Sequence, residues 1–274
     1  MRKISSLNLI LLAFLFVLSI SAFYSCSSVP LTGRKQLNLI PNSEIMAMSF
    51  SQYDEFLKEN KLSTNKTQTD LVKKVGNKIS AAVEDYFRQN GMSSQLKGFN
   101  WEFNLVADDT PNAWCMPGGK VVFYEGILPI TQTEAGIAVV MGHEIAHAVA
   151  KHGSERMTQQ LATQMGGMAL DIAMSNKPEQ TRAIYHTAYG LTTQVGVLLP
   201  YSRTHEAEAD RLGLIFMAMA GYNPNEAVSF WQRMDNLSSG ANTPAFLSTH
   251  PSNKKRIANI QKQLPEALKY FKNK

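Results

Sequence analysis

Between residues 69 and 90 the apolar side chains fall at Leu71, Val75, Ile79, Ala82 and Val83. This spacing of three to four predicts a helix buried along one face and stopped at Gly91. An earlier helix is expected from Asn42-Ser43-Glu44 to about Asn60. From Phe99 to Ala107 the period shortens to two, with Trp101, Phe103 and Leu105 alternating with Asn100, Glu102 and Asn104, the pattern of a half-buried strand. Asn112 to Met116 and Lys120 to Tyr124 flank the turn Pro117-Gly118-Gly119 and predict a hairpin.

The next stretch has no polar face. Ala135 to Gly142 and Ala148 to Ala150 are small and apolar, which predicts a helix buried all round. Gly153 to Pro200 carries Met157, Met165, Gly166, Gly167, Met168 and Met174, breaks at Asn176-Lys177-Pro178, and resumes through Ile184, Tyr185, Tyr189 and Leu191 to Leu199. Core packing is the default expectation for these side chains; a mobile flap over a cleft, touching a membrane surface, is the alternative. A further helix from about Ser202 to Ala220 carries Leu212, Leu214, Ile215 and Phe216 and ends at Gly221, and Ser252 is placed to cap a last one. The chain therefore reads as a predominantly helical α+β protein with a small sheet.

Inside the buried helix lies His143-Glu144-Ile145-Ala146-His147. Four apart on a helix, His143 and His147 aim two imidazole nitrogens at one point, as a zinc site requires. Glu144 starts from the same turn and can take a proton from water there without being a ligand. A catalytic zinc takes three protein ligands and leaves a fourth position for water, so a third ligand must come from elsewhere. Glu206 is the best candidate. Asp210, four residues on, shares its face and is assigned to the free ring N–H of a ligand histidine. Glu208 points elsewhere and reads as a solvated helix charge. Arg203, three before Glu206, is placed to steady that carboxylate or a substrate oxygen, or to be a plain surface arginine. His152 and His186 miss the ligand spacing and read as structural or exposed, though His152 is near enough to His147 to keep a claim on the site, and Cys115, beside Trp114 and Met116, reads as a packed, inert thiol.

Together, His143-Glu144-x-x-His147 and Ser202-Arg203-x-x-Glu206-x-Glu208-Ala209-Asp210-x-x-Gly213 resemble the zinc metallopeptidase family of HtpX and the CAAX prenyl endopeptidases. Within it they look most like the bacterial periplasmic lipoprotein proteases LoiP and BepA. Asn112 to Val121 and Thr249-His250-Pro251-Ser252 add to the resemblance, which spans about residue 30 to the C-terminus. It implies a gluzincin-type metalloendopeptidase domain with one Zn2+ per chain on His143, His147 and Glu206, Glu144 as general base, and a small β-sheet whose edge strand borders the active site. Asn112, Ala113, Trp114 and Cys115 are the candidate edge, binding an extended peptide as an added strand, with an ordinary hairpin as the plainer reading. The implied task is hydrolysis of peptide bonds in damaged or misassembled cell-envelope proteins. The alternative is a chaperone or assembly factor that uses the same groove, with proteolysis secondary. His250 keeps three readings: packing in its loop, stabilising the oxyanion, or occupying the fourth zinc position at rest. No repeat domain of the BepA kind is expected after it.

The N-terminus suggests a location. Arg2 and Lys3 precede an unbroken apolar run from Leu9 to Leu18, and small residues lead to Cys26, the layout of a signal peptide over residues 1–25 with lipidation at Cys26. Phe23 and Tyr24 depart from the usual lipoprotein pattern, which leaves an uncleaved signal anchor or a soluble secreted form as alternatives. The anchor is disfavoured, since a span needs roughly twenty apolar residues. On this reading residues 26–41 are a lipid-anchored tether and lead-in, residues 42–274 a single zinc metallopeptidase domain, and the protein an exported, periplasm-facing lipoprotein of the outer membrane. A lipidated Cys26 leaves Cys115 without a disulfide partner. The 274 residues carry 27 basic and 22 acidic side chains, net +5; losing Arg2 and Lys3 leaves 25 against 22, net +3. That balance does not suit a nucleic-acid-binding protein. Lys254-Lys255-Arg256 reads as a solvated helix face able to meet anionic headgroups. The expected partners are protein or peptide substrates and a membrane.

Overall fold

The segment expected to be a tether is folded. In the computed structural model, which describes residues 26–237, 244–251 and 254–271, β1 (Cys26–Ser28) pairs antiparallel with β2 (Lys35–Leu37), and Val29 between them is buried. The signal-peptide reading of residues 1–25 and the capping role of Ser252 lie outside the described residues.

Helices α1 (Asn42–Glu59) and α2 (Lys66–Gln89) follow, and α2 buries Val72, Val75, Ile79, Val83 and Phe87 along one face. It starts three residues before Thr69, because the Asn65 side chain accepts the Gln68 N–H and caps its first turn. The alternating stretch forms β3 (Glu102–Val106), shorter than the pattern suggested. β4 (Ala113–Met116) and β5 (Lys120–Tyr124) make the expected hairpin, but β5 also pairs parallel with β3, with Glu102 opposite Lys120. The order β3-β5-β4 leaves β4 at an edge.

A short α3 (Leu128–Thr131) leads to α4 (Glu134–Val149), capped by the Thr133 side chain on the Gly136 N–H. Every residue from Gly136 to Val149 is buried, as the missing polar face predicted. α5 (His152–Met174) and α6 (Glu179–Thr193) form an antiparallel pair, and a π-helical turn (Gln194–Leu198) joins α6 to α7 (Leu199–Met219). α8 (Glu226–Leu237), the short α9 (Ala245–Thr249) and α10 (Lys254–Ala267) complete the chain.

The core gathers α2, α4, α7 and α8 around Phe216, Phe230, Trp231 and Phe246, all fully buried or nearly so. α4 and α7 meet at glycines. A Cβ on Gly142 would lie 2.7 Å from the Gly213 carbonyl oxygen, and one on Gly213 would lie 2.8 Å from the His143 nitrogen, so only glycine allows this approach. The crossing brings the histidine helix against the Glu206 helix.

Core packing was the default expectation for residues 153–200, and the structure departs from it. α5 buries only His152, Ser154, Glu155 and Thr158, and α6 buries nothing. Met165, Met168, Ile172, Ile184, Tyr185 and Leu191 are exposed. The pair packs chiefly on itself, with the Tyr189 hydroxyl donating to the Thr163 carbonyl at 2.8 Å beside Gly166. None of the described helices is long and apolar enough to cross a membrane.

Candidate metal centre

Four side chains converge where α4, α7 and the end of α9 meet: His143, His147, Glu206 and His250. His143 Nε2 lies 3.0 Å from His147 Nε2 and 3.1 Å from His250 Nδ1. Glu206 closes the figure, with Oε2 2.9 Å from His250 Nδ1 and 3.5 Å from His143 Nε2, and Oε1 3.3 Å from His147 Nε2. A tetrahedron around zinc with bonds of about 2.0–2.1 Å has edges of about 3.3–3.4 Å. The spacing found is therefore that of ligands around one ion, and three imidazole nitrogens with one carboxylate are a donor set that suits zinc.

The protonation of the cluster agrees. Burial drives the His147 ring well below its usual range and keeps it neutral, with a free lone pair. Burial also disfavours a charge on His143, but the carboxylates of Asp210 and Glu206 outweigh it and raise its pKa to about 9. Glu206 is buried, yet hydrogen bonds from His143, His147 and His250 hold it far below the carboxylate range. These groups want positive charge at the point where they meet.

Glu144 lies beside that point. Burial raises its pKa, while His250 and His143 and a backbone hydrogen bond from Cys115 pull the other way. Its Oε1 is buried, has no hydrogen-bond partner among the described residues, and lies 3.4 Å from His250 Nε2. His250 ends α9, its N–H donates to the Phe246 carbonyl, and its ring stacks on Phe246 at 4.5 Å. A ring nitrogen of His250 thus lies among the donor atoms of His143, His147 and Glu206.

Asp210 meets His143 Nδ1 at 3.0 Å, and its carboxylate accepts two hydrogen bonds from Arg256, at 2.9 and 2.7 Å. Arg256 also lies 3.3 Å from Glu206, donates to the Pro251 carbonyl, and lays its guanidinium 3.5 Å over the Trp231 ring. This corrects the reading of Lys254-Lys255-Arg256 as a solvated face, since Arg256 is buried. It also takes the place expected of Arg203, which is exposed on α7. No local pattern marks Arg256, because its carboxylate partners, Asp210 and Glu206, are 46 residues away or more.

Glu208 is a second correction. It is buried, accepts hydrogen bonds from Thr32, Arg34 and His152, and has its pKa held at about 2 against the upward push of burial. Pointing away from the metal did not mean pointing into water, since the β1–β2 hairpin covers that side. His205, next to Glu206, is buried against Glu155 at 2.8 Å. His186 stands partly exposed beside Asp171.

The edge strand borders the cluster. The Tyr124 N–H donates to the Asn112 carbonyl, which makes Asn112, Trp114 and Met116 the inward-bonding residues and turns the main-chain groups of Ala113 and Cys115 to the free edge. The Ala113 N–H is held by the Asn112 side chain at 3.0 Å, and the Cys115 backbone meets Glu144. Trp114 packs edge-on against Phe56 and Tyr53. Burial keeps the Cys115 thiol well above its usual pKa, as an inert packed side chain requires. On the far side, the Phe246 N–H donates to the Pro111 carbonyl and ties the His250 helix to the start of this strand.

A buried His-Glu-x-x-His helix, crossed by a second helix bearing a glutamate and an aspartate four apart, is the arrangement of a metallopeptidase. The family profile described as Peptidase family M48 matches residues 74–264, and the chain belongs to that family. It is 36% identical over 244 residues to the mitochondrial metalloendopeptidase OMA1 of Schizosaccharomyces pombe, covering 87% of this chain and 66% of that protein. It is 30% identical over 248 residues to the mitochondrial metalloendopeptidase OMA1 of Homo sapiens, covering 88% and 46%. The beta-barrel assembly-enhancing protease of Escherichia coli is 28% identical over 167 residues, covering 59% and 34%. The chain thus spans less than two thirds of each of these relatives.

These findings overturn the location drawn from the N-terminus. Relatives that match over 87% and 88% of the chain carry mitochondrial names, while the bacterial protease matches a shorter stretch at lower identity. The reading as a periplasm-facing lipoprotein of the outer membrane does not stand. A basic start and a short apolar run do not specify a compartment.

Proposed function

We propose that the chain is a zinc metalloendopeptidase, with His143, His147 and Glu206 as zinc ligands and Glu144 as general base. One observation carries this reading: four donor atoms at tetrahedral spacing beside a buried carboxylate with a free oxygen. When bound, the ion supplies Lewis acidity, polarising a peptide carbonyl and making water more acidic. Glu144 Oε1 takes the proton of the attacking water and returns it to the leaving amine, roles served by a carboxylate whose pKa burial has raised. Asp210, fixed by Arg256, accepts the Nδ1–H of His143 and orients its Nε2 toward the cluster. His250 would complete the donor set for the ion at rest, and its ring would have to move aside to admit the attacking water.

A substrate adds as a strand to β4, pairing with the Ala113 N–H, once the Asn112 side chain turns away from it, and with the outward carbonyls of Ala113 and Cys115. Such pairing reads the backbone and makes little demand on side chains. The substrate class is therefore extended polypeptide, which damaged or misassembled proteins expose.

The purified chain is expected to carry one zinc and to cleave an unfolded casein-type protein. Glu144→Gln is expected to keep metal and fold and to lose about a hundred- to ten-thousand-fold in turnover. Undiminished cleavage by that variant removes the mechanism, and a wild-type chain that binds no zinc removes the class. In the same assay His250→Ala is expected to raise turnover; a fall would make the ring an oxyanion donor instead.

A further inference from the structure

His143 and His147 face the same point but are held from behind in different ways. His143 Nδ1 meets a carboxylate, Asp210, directly. His147 Nδ1 instead meets a third imidazole, His152 Nδ1, at 2.9 Å. Residues 147 and 152 come together because Lys151 adopts the left-handed conformation, φ 58° and ψ 34°, which ends α4 and turns the chain back into α5. That conformation is unfavourable for a lysine and persists only where surrounding contacts impose it.

From His152 the contacts continue outward. Its Nε2 lies 3.0 Å from Glu208, whose carboxylate also accepts from Arg34 Nε at 2.8 Å and from the Thr32 hydroxyl. The same guanidinium donates twice to Glu155, at 2.9 and 2.7 Å, and Glu155 accepts from His205 Nε2 at 2.8 Å. The rings of His152 and His205 stack at 4.3 Å. Arg34 and Thr32 belong to the β1–β2 hairpin, upstream of the span that the family profile matches.

The donors and acceptors along this chain of contacts order its hydrogens. An ionised carboxylate only accepts, so His152 must carry its hydrogen on Nε2. With that hydrogen on Nε2, the His152 ring presents its Nδ1 lone pair 2.9 Å from His147 Nδ1. A bare Nδ1 accepts, and His147 must then donate from its own Nδ1. That leaves the His147 Nε2 lone pair aimed at the cluster, which is the tautomer a metal needs.

We infer that His152 is a positioning residue, which with Glu208 and Arg34 fixes the His147 tautomer and makes the N-terminal hairpin part of the metal centre. The inference rests on the zinc reading above. The carboxylate that orients His147 acts through an intervening imidazole, and Arg34 holds that carboxylate in place while tying it to Glu155 on α5.

The test is zinc affinity of the full chain, measured by competition with a chromophoric chelator, together with ring 15N shifts of His147 in the metal-free protein. His152→Leu removes the acceptor and is expected to weaken zinc binding about ten- to a hundred-fold. His152→Asn places an amide oxygen near the position of Nδ1 and is expected to stay within about threefold of wild type. Arg34→Ala is expected to weaken binding about three- to tenfold. The 15N shifts should report Nδ1–H in wild type and His152→Asn, and a shift toward Nε2–H in His152→Leu. Wild-type zinc affinity in His152→Leu overturns the inference. So does equal weakening by Leu and Asn, which would mean that packing alone matters, and unchanged affinity in Arg34→Ala removes the hairpin from the relay. A wild-type chain that binds no zinc fails the underlying reading instead, so the two failures are distinguishable.

Discussion

Two helix pairs in this chain are both rich in apolar and small residues, and they meet opposite fates. α4 and α7 close on each other at Gly142 and Gly213 and bury their apolar side chains, including Val140, Met141, Leu212 and Phe216. α5 and α6 also carry glycines, Gly166, Gly167 and Gly190, yet they expose Met165, Met168, Ile172, Ile184 and Leu191. Small residues do not by themselves bury a helix. On α4 the glycine meets a second glycine on a helix that other layers cover, whereas on α5 burial stops after Thr158 and Gly166 meets only the Tyr189 ring. His143, His147 and Glu206 belong to the first pair, where packing can hold them.

The sharpest way to break that contrast is at the crossing. Gly213→Ala forces a methyl group against backbone atoms of Gly142 and His143 at under 3.0 Å, where no flexible side chain can give way. The expected cost is about 3 kcal/mol, a fall of roughly 6–12 °C in Tm for a domain of this size, with weaker zinc binding because His143 moves. Calorimetry and a zinc titration check it. A variant with unchanged Tm would mean that the close approach is not needed to place the ligands.

Next in size is the root of the exposed pair. Glu155, in the first turn of α5, would have its pKa raised by burial, but His205 and Arg34 hold it at about 2, below its ordinary 4.5. A carboxylate lowered in the folded state contributes stability that is fully present above its unfolded pKa and lost as pH falls from about 4.5 toward about 2. Glu155→Gln should therefore be less stable at pH 7 and show a flatter loss between pH 5 and pH 2, read from urea titrations across that range. An acid slope equal to that of wild type would remove this ion pair from the anchoring of α5.

Much of the first pair was legible in the sequence because its information is local. The spacing of His143 and His147, and of Glu206 and Asp210, follows from 3.6 residues per turn, and the missing polar face of α4 announced its burial. Contacts across long separations left no such trace. Arg34 reaches Glu155 over 121 residues and Glu208 over 174, and Arg256 reaches Asp210 over 46. Glu208 was misread for the same reason: a helical wheel shows that it faces away from Glu206, but not that a hairpin lies there. The apolar residues of α5 and α6 were misread in the other direction, since period identifies a face and not what covers it.

The smallest effects belong to the exposed pair. A Cβ at Gly190 on α6 would meet nothing within 4 Å, so Gly190→Ala should gain about 0.5–1 kcal/mol from helix propensity and the less flexible unfolded chain. The same change of residue that costs stability on α7 thus adds it on α6. Ile172, 76% exposed near the end of α5, should matter least. Its side chain has little apolar surface to lose on replacement, and serine is close to isoleucine in helix propensity, so Ile172→Ser should change stability by less than about 0.5 kcal/mol. Urea unfolding at several protein concentrations measures this. A loss above about 1 kcal/mol that grows with protein concentration would show that copies of the chain cover this face in solution. The difference between the two helix pairs would then lie in when each is buried, within one chain or on association, rather than in whether it is buried at all.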